Sequence, residues 1–169
     1  MEKFTFQGNI NLPVEQIDLY DWLINITEND YKSFSKAHRA LGLTKIDGVE
    51  GMINVESIGG NLLVQHYKIQ ERQNHLLTLY SQKSDAYLFH LVKVAVGVEW
   101  KMSVKKKDGA SSVFSCEIGV AYPNKLLKIA SLLVAGRYFL RKHINEEGPL
   151  FAKSIEQKFG KCVGLAELL

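Results

Sequence analysis

Cysteine, proline and net charge are all scarce in this 169-residue chain. The two cysteines, Cys116 and Cys162, form no C-x-x-C pair, which excludes a disulfide framework and a sulfur-rich metal site. The net charge is only +3 and is spread along the sequence, so we expect no nucleic-acid partner. The densest basic run, 105-KKKDG-109, contains turn residues, and we interpret it as a solvated turn.

Long apolar runs are absent as well. The longest, 129-IASLLVA-135, falls far short of the ~20 residues that span a bilayer, and the N-terminal MEKFTFQGN lacks the apolar core of a signal peptide. We therefore expect a cytoplasmic protein with reduced thiols and no membrane insertion. An apolar fraction of 46% and a charged fraction of 23% predict one globular domain, 1–169. Whether copies associate as a homo-oligomer stays open.

Local patterns predict one strand, two short helices, a β-rich middle and a long final helix. Residues 3–12 alternate like a strand, and Pro13 starts a helical segment over 14–23. A second helix is predicted over 27–38, because Thr27 is a good N-cap with Asp30 three residues later. The long helix is predicted over 123–147, continuing to about 159. The candidate strands of the middle are 51–58, 62–70, 75–81, 88–105 and 111–121.

The order of these elements predicts an α+β fold. Closely spaced strands joined by turns such as Gly59-Gly60-Asn61 form an antiparallel meander, and a curved sheet of this kind can wrap around the long C-terminal helix. The order is similar to that of the helix-grip fold of the START and Bet v 1-like superfamily. That resemblance implies a cavity between sheet and helix for a small hydrophobic or aromatic molecule.

Two polar residues continue the apolar stripe of the long helix. His143 and Glu147 lie at i and i+4, on one helix face, and Gly148-Pro149 follow, where proline kinks or restarts a helix. The competing interpretation is a surface His–Glu pair at a frayed helix end. The stripe itself consists of Leu126, Ile129, Ala130, Leu133, Gly136 and Leu140.

Two further residues of ligand type stand on other elements. His38 closes the predicted helix 27–38, on the face of Tyr31 and Phe34, and Glu56 shares a strand face with Met52 and Ile58. The inverted register, with Ile53 and Val55 inward and Glu56 outward, stays open. If all four face inward, then His38, Glu56, His143 and Glu147 predict a site for zinc or another first-row divalent metal.

Three blocks resemble the diacetylphloroglucinol hydrolase and phloretin hydrolase family. They are 22-WLINITENDYKSFSKAH-38, 56-ESIGG-60 and 143-HINEEGPLF-151. The resemblance implies a zinc-dependent hydrolase that cleaves the carbon–carbon bond between a phloroglucinol-type ring, or a related polyketide-like ketone, and its acyl group. It also implies zinc ligation by the same two histidines and two glutamates, with Glu146 as a competing acid.

The same resemblance implies two catalytic side chains. His90, on the predicted strand 88–94, would be a substrate-facing general acid, and Tyr31 would donate a hydrogen bond to a phenolic oxygen. His66 and His75 carry no comparable support. The alternative function is a non-catalytic protein that binds a small hydrophobic ligand in the helix-grip cavity.

Overall fold

A seven-stranded antiparallel sheet forms the body of the computed structural model, which describes residues 1–125 and 136–166, with side chains up to residue 160. The strands are β1 (Glu2–Ile10), β2 (His38–Ile46), β3 (Val49–Ile58), β4 (Asn61–Gln73), β5 (Leu76–Leu88), β6 (Val92–Lys106) and β7 (Ser112–Ala121). Their spatial order is β1-β7-β6-β5-β4-β3-β2. Consecutive strands pair from β2 to β7, which confirms the predicted meander, and β1 closes one edge beside β7.

Short helices follow β1, as predicted. They are a 3-10 helix (Val14–Gln16), α1 (Leu19–Ile24) and α2 (Glu28–Phe34). The predicted segment 14–23 divides because Asp18 caps a new helix, its side chain accepting hydrogen bonds from the backbone N–H groups of Tyr20 and Asp21 at 2.9 Å.

The second short helix ends earlier than predicted. Its N-terminus is a capping box between Thr27 and Asp30, but Ser35 adopts an extended backbone (φ −156°, ψ 145°) that stops the helix after Phe34. His38 therefore does not close a helix; it is the first residue of β2. The prediction of helix over 27–38 is wrong in its last four residues, and β2 itself was not predicted.

We predict that Thr27→Ala lowers the free energy of unfolding by about 1 kcal/mol, because it removes one half of the capping box. The backbone N–H of Asp30 would lose its acceptor, the Thr27 hydroxyl at 3.1 Å. Urea unfolding followed by circular dichroism measures the change. Lys32→Ala on the same helix removes only an exposed ion pair with Glu28 and should cost less than about 0.5 kcal/mol. Equal costs for the two variants would contradict the capping account.

The predicted strand 88–105 is wrong at its start. Phe89 and His90 both have positive φ, 49° and 61°, and form a turn closed by a hydrogen bond from Leu91 N–H to Leu88 C=O at 2.9 Å. The run 88-LFHLV-92 is apolar enough to suggest a strand, yet it connects β5 to β6 without a glycine at the turn. His90 is consequently an exposed turn residue rather than a strand residue.

One long helix, α3 (Gly136–Ala166), packs against the sheet. Four members of the predicted stripe, among residues 126–135, lie outside the described part of the chain. The helix is continuous through Pro149, so the restart predicted at that residue does not occur. Gly148 allows α3 to approach β1 closely, because a Cβ at this position would lie 2.4 Å from the ring of Phe6.

Within residues 1–125 and 136–166, none of the helices combines the length and the apolar character that crossing a membrane requires. The cytoplasmic location stays a prediction. Whether the protein forms a homo-oligomer stays open.

Candidate metal centre and ligand cavity

Helix α3 supplies two of the predicted ligands. His143 and Glu147 are 6% and 3% exposed, and His143 Nε2 lies 3.3 Å from Glu147 Oε2. They share the buried face with Ile144 and Phe151, whereas Arg141 is exposed. The pair therefore continues the core-facing stripe and is not a surface pair at a frayed helix end.

Strands β2 and β3 supply the other two. His38 and Glu56 are partners in the β2–β3 register, and both are buried. Glu56 lies on the inward face with Met52 and Ile58, so the inverted register is not adopted. The reason is the alternation of strand side chains: once Met52 and Ile58 face the core, Glu56 must face it as well.

These four side chains converge between the sheet and α3. His38 Nε2 lies 3.0 Å from Glu147 Oε2, and His143 Nε2 lies 3.8 Å from Glu56 Oε2. The ligand atoms of His38, Glu56 and His143 all lie within 4.8 Å of one another, a spacing that could hold a metal ion. The structure thus brings together side chains from chain positions as distant as 38 and 147.

Hydrogen bonds outside the cluster orient its two imidazoles. His38 Nδ1 lies 2.6 Å from the carbonyl oxygen of Tyr31, which can only accept, so this nitrogen carries a proton and Nε2 faces the cluster. His143 Nδ1 lies 3.3 Å from the hydroxyl of Ser35. Such outer partners of histidine are characteristic of metal sites, where they fix the ring and the tautomer.

The electrostatics of the cluster favour positive charge beside ionised carboxylates. Burial lowers the pKa of His38, but the hydrogen bond to Glu147 and the charges of Glu56 and Glu147 outweigh it and raise this pKa above its ordinary value. Burial alone would raise the pKa of Glu56, yet His143, His38 and the hydrogen bond from Tyr31 hold it below its ordinary value.

Tyr31 is placed beside the cluster, but its hydroxyl is directed at a protein group. Its O–H donates to Glu56 Oε1 at 2.6 Å, and its ring stacks on that of His38 with centroids 3.8 Å apart. Burial and the nearby charge of Glu56 raise the pKa of Tyr31 well above its ordinary value. This hydrogen bond positions Glu56, and the contact of Tyr31 with a phenolic oxygen stays a prediction.

The remaining predicted candidates lie elsewhere. His90 is in the exposed β5–β6 turn, so its predicted place on a strand facing the site is wrong. Glu146 is exposed and accepts from the backbone N–H of Lys36 at 3.3 Å, as expected for a residue off the stripe. His66 alternates with the inward-facing Gln65 and Tyr67, so it is on the opposite face of β4.

An apolar cavity of about 300 Å³ adjoins the cluster. A smaller space of about 20 Å³ lies directly at Glu56, His143 and Glu147. Four residues line both spaces, so they are neighbours along the inner face of the sheet: Ile58, Leu63, Val120 and Leu140. The larger cavity extends from there toward the β5–β6 turn, between Ala86, Val94, Val96 and Phe139.

Sequence reasoning missed two buried amides, Asn54 and Gln65, that contact Glu56. A signal for Asn54 existed, because it stands two residues before Glu56 and must share its strand face. Gln65 could be placed only with the β3–β4 register, in which it is the partner of Asn54.

No family model and no curated protein matches the sequence. Solved structures do resemble the fold. A protein from Thermus thermophilus aligns with a TM-score of 0.63 at 8% identity, over 91% of this chain and 97% of the other. The Zhui aromatase/cyclase from Streptomyces sp. R1128 aligns with a TM-score of 0.55 at 8% identity, over 96% and 95%.

A START superfamily protein from Mycobacterium smegmatis aligns with a TM-score of 0.50 at 11% identity, over 95% of this chain and 98% of the other. The chain adopts the helix-grip fold. At these identities the likeness concerns the fold alone, so the helix-grip scaffold is confirmed while the function has to be argued from the site.

Proposed function

We propose that this helix-grip protein binds a small apolar molecule, aromatic or polyketide-like, with one polar end against a divalent metal held by His38, Glu56, His143 and Glu147. One observation carries the proposal: an apolar cavity adjoins a buried cluster of two imidazoles and two carboxylates. A ligand site of this kind combines a hydrophobic wall with a few convergent polar groups. The START and aromatase/cyclase names of structural neighbours are in keeping with it.

The donor set fits a first-row divalent cation. Imidazole nitrogen and carboxylate oxygen are the ligands that zinc takes in proteins when sulfur is absent, and zinc is the first candidate. Two carboxylates would neutralise the charge of a divalent ion. Buried carboxylates are costly unless they are paired or bind a metal, and Glu56 and Glu147 are both buried at this cluster.

The cavity sets the size and polarity of the ligand. Its volume of about 300 Å³ is at the lower end of the range for small-molecule sites, which suits a single ring with short substituents. Its described walls are almost entirely apolar, and Asn61 and Tyr122 are the lining residues whose side chains carry a polar group. The ligand must therefore bury an apolar body there and present its polar end toward Glu56 and His143.

We predict that Ala86→Phe lowers the affinity for naphthalene at least tenfold, because the new ring would occupy the apolar cavity that Ala86 lines. Naphthalene fluorescence measures binding, and zinc content should not change. Ala110→Phe is the matched control, since Ala110 is exposed beyond the end of β6. Failure of the wild-type protein to bind naphthalene, or equal binding by both variants, would contradict the proposed ligand site.

The second candidate function is hydrolysis of the bond between an aromatic ring carbon and an acyl carbonyl carbon. It is favoured by the carboxylates and the imidazole that line the small space beside the apolar cavity: Glu56, Glu147 and His143. Water would add its hydroxyl to the acyl carbon and its proton to the ring carbon, releasing a free phenol and a carboxylic acid. A bound zinc ion would supply polarisation of the carbonyl and activation of water.

In this candidate reaction, the residues of the chain hold the charged groups in place. The hydrogen bond from Tyr31 orients Glu56 and helps to lower its pKa, and Phe151 packs against the ring of His38. The general acid is unassigned, because His90 is in the exposed turn. Zinc-loaded protein incubated with acylated phenols should release the free phenol. Binding of such compounds without any release would leave the ligand-binding proposal and remove the catalytic one.

A further inference from the structure

Two amide side chains stand next to each other on the inner face of the sheet. Asn54 and Gln65 are direct partners in the β3–β4 register and are only 2% and 3% exposed. Directly opposed side chains in an antiparallel pair have Cβ atoms about 5 Å apart. Both residues line the small space at Glu56, at the end of the apolar cavity.

Glu56 determines how both amides are oriented. Asn54 Nδ2 donates to Glu56 Oε1 at 3.0 Å and to the hydroxyl oxygen of Tyr31 at 2.9 Å. Gln65 Nε2 donates to Glu56 Oε2 at 3.2 Å. In both bonds the Glu56 oxygen is the acceptor, so the NH₂ end of each amide faces Glu56. The two carbonyl oxygens are therefore turned away from the carboxylate.

Those two oxygens lack a donor. Asn54 Oδ1 and Gln65 Oε1 are buried and accept no hydrogen bond from any residue in the described ranges 1–125 and 136–166. Buried acceptors without a partner are rare in proteins and cost free energy, so each one needs a donor from outside this set of residues. Both oxygens lie in the lining of the proposed ligand site. A bound ligand is therefore in a position to supply the missing hydrogen-bond donors.

We infer that Asn54 and Gln65 form an acceptor pair that selects ligands carrying O–H or N–H donors beside the group that meets the metal. The inference rests on the proposed ligand site. Because the amides are locked by Glu56, they cannot turn to offer N–H groups, so a ligand with only ether or carbonyl oxygens at this place is disfavoured. The pair therefore determines specificity and takes no part in bond making.

Resorcinol and its dimethyl ether test the inference, since they share a ring and differ in two donors. On zinc-loaded wild-type protein, calorimetry should show resorcinol binding about tenfold or more tightly than the ether. Gln65→Met should reduce resorcinol affinity about tenfold and change ether affinity less than about threefold, at equal zinc content. Asn54→Leu should act in the same direction.

Gln82→Met is the matched control, because it makes the same change from amide to thioether at an exposed residue of β5. It should keep the preference for resorcinol. Equal affinities for the two probes in wild-type protein, or a preference that survives in Gln65→Met and Asn54→Leu, would overturn the acceptor pair. If naphthalene binds normally in that case, the proposed ligand site stands and only this inference fails. A wild-type protein that binds neither naphthalene nor resorcinol overturns both.

Discussion

We expect zinc to raise the free energy of unfolding of the metal-free protein by about 4 kcal/mol when free zinc is about 1,000-fold above its dissociation constant. This expected result follows from where the ligands come from. The ligands stand on three separate elements: His38 on β2, Glu56 on β3, and His143 and Glu147 on α3. Their side chains meet only in the folded chain. An ion held by this set binds the native state and has little affinity for the unfolded one, so its binding free energy adds to stability.

Thermal and urea unfolding, with and without zinc, measure this gain. His143→Ala should lose most of it, because the variant lacks one imidazole of the set. His90→Ala removes the same side chain from an exposed turn and should keep the full gain. No zinc effect in wild-type protein, or the same effect in His143→Ala, would contradict metal binding at this cluster.

Phe151→Ala is expected to lower the free energy of unfolding by about 3–5 kcal/mol. Phe151, on α3, is 1% exposed, and its ring packs against both the short helices and the sheet. Its ring centroid lies 5.5 Å from that of Trp22, 5.1 Å from that of Phe34 and 5.7 Å from that of Trp100. Truncation leaves a cavity among rigid aromatic rings, which cannot collapse to fill it.

Leu150→Ala on the same turn of α3 is the comparison. Leu150 is 37% exposed, so its truncation should cost less than about 1 kcal/mol. Urea unfolding by circular dichroism and by tryptophan fluorescence gives both values. Equal losses for the two variants would show that α3 is not anchored through Phe151 as described.

The fold was predictable where periodicity is strong. Alternation over 51–58 and 111–121 identifies β3 and β7, and the Thr27 cap identifies the start of α2. Strand β2 escaped prediction because it lies at a sheet edge and most of its residues are exposed, so its alternation is weak. The β5–β6 turn escaped because its positive-φ residues are Phe89 and His90, and neither residue type signals a turn.

A site residue was predictable where the sequence shows which face of its strand or helix it occupies. Glu147 could be preferred to Glu146 because i+4 continues a helical stripe, and the structure buries Glu147 and exposes Glu146. The inward direction of Glu56 was undecided, because both faces of β3 carry apolar residues: Met52 and Ile58 on one, Ile53 and Val55 on the other. The contacts of Asn54 and Gln65 depend on the β3–β4 register, which no local pattern specifies.

The metal content of the purified protein is the decisive test of the proposed metal site. Tag-free protein, purified without added metal or chelator, is analysed by plasma mass spectrometry beside Glu147→Gln and Glu146→Gln. We expect about one zinc or similar divalent ion per chain in wild-type protein and in Glu146→Gln, and a large loss in Glu147→Gln. Wild-type protein that contains no metal and takes up no added zinc would contradict the proposed metal site, and so would metal retained in full by Glu147→Gln.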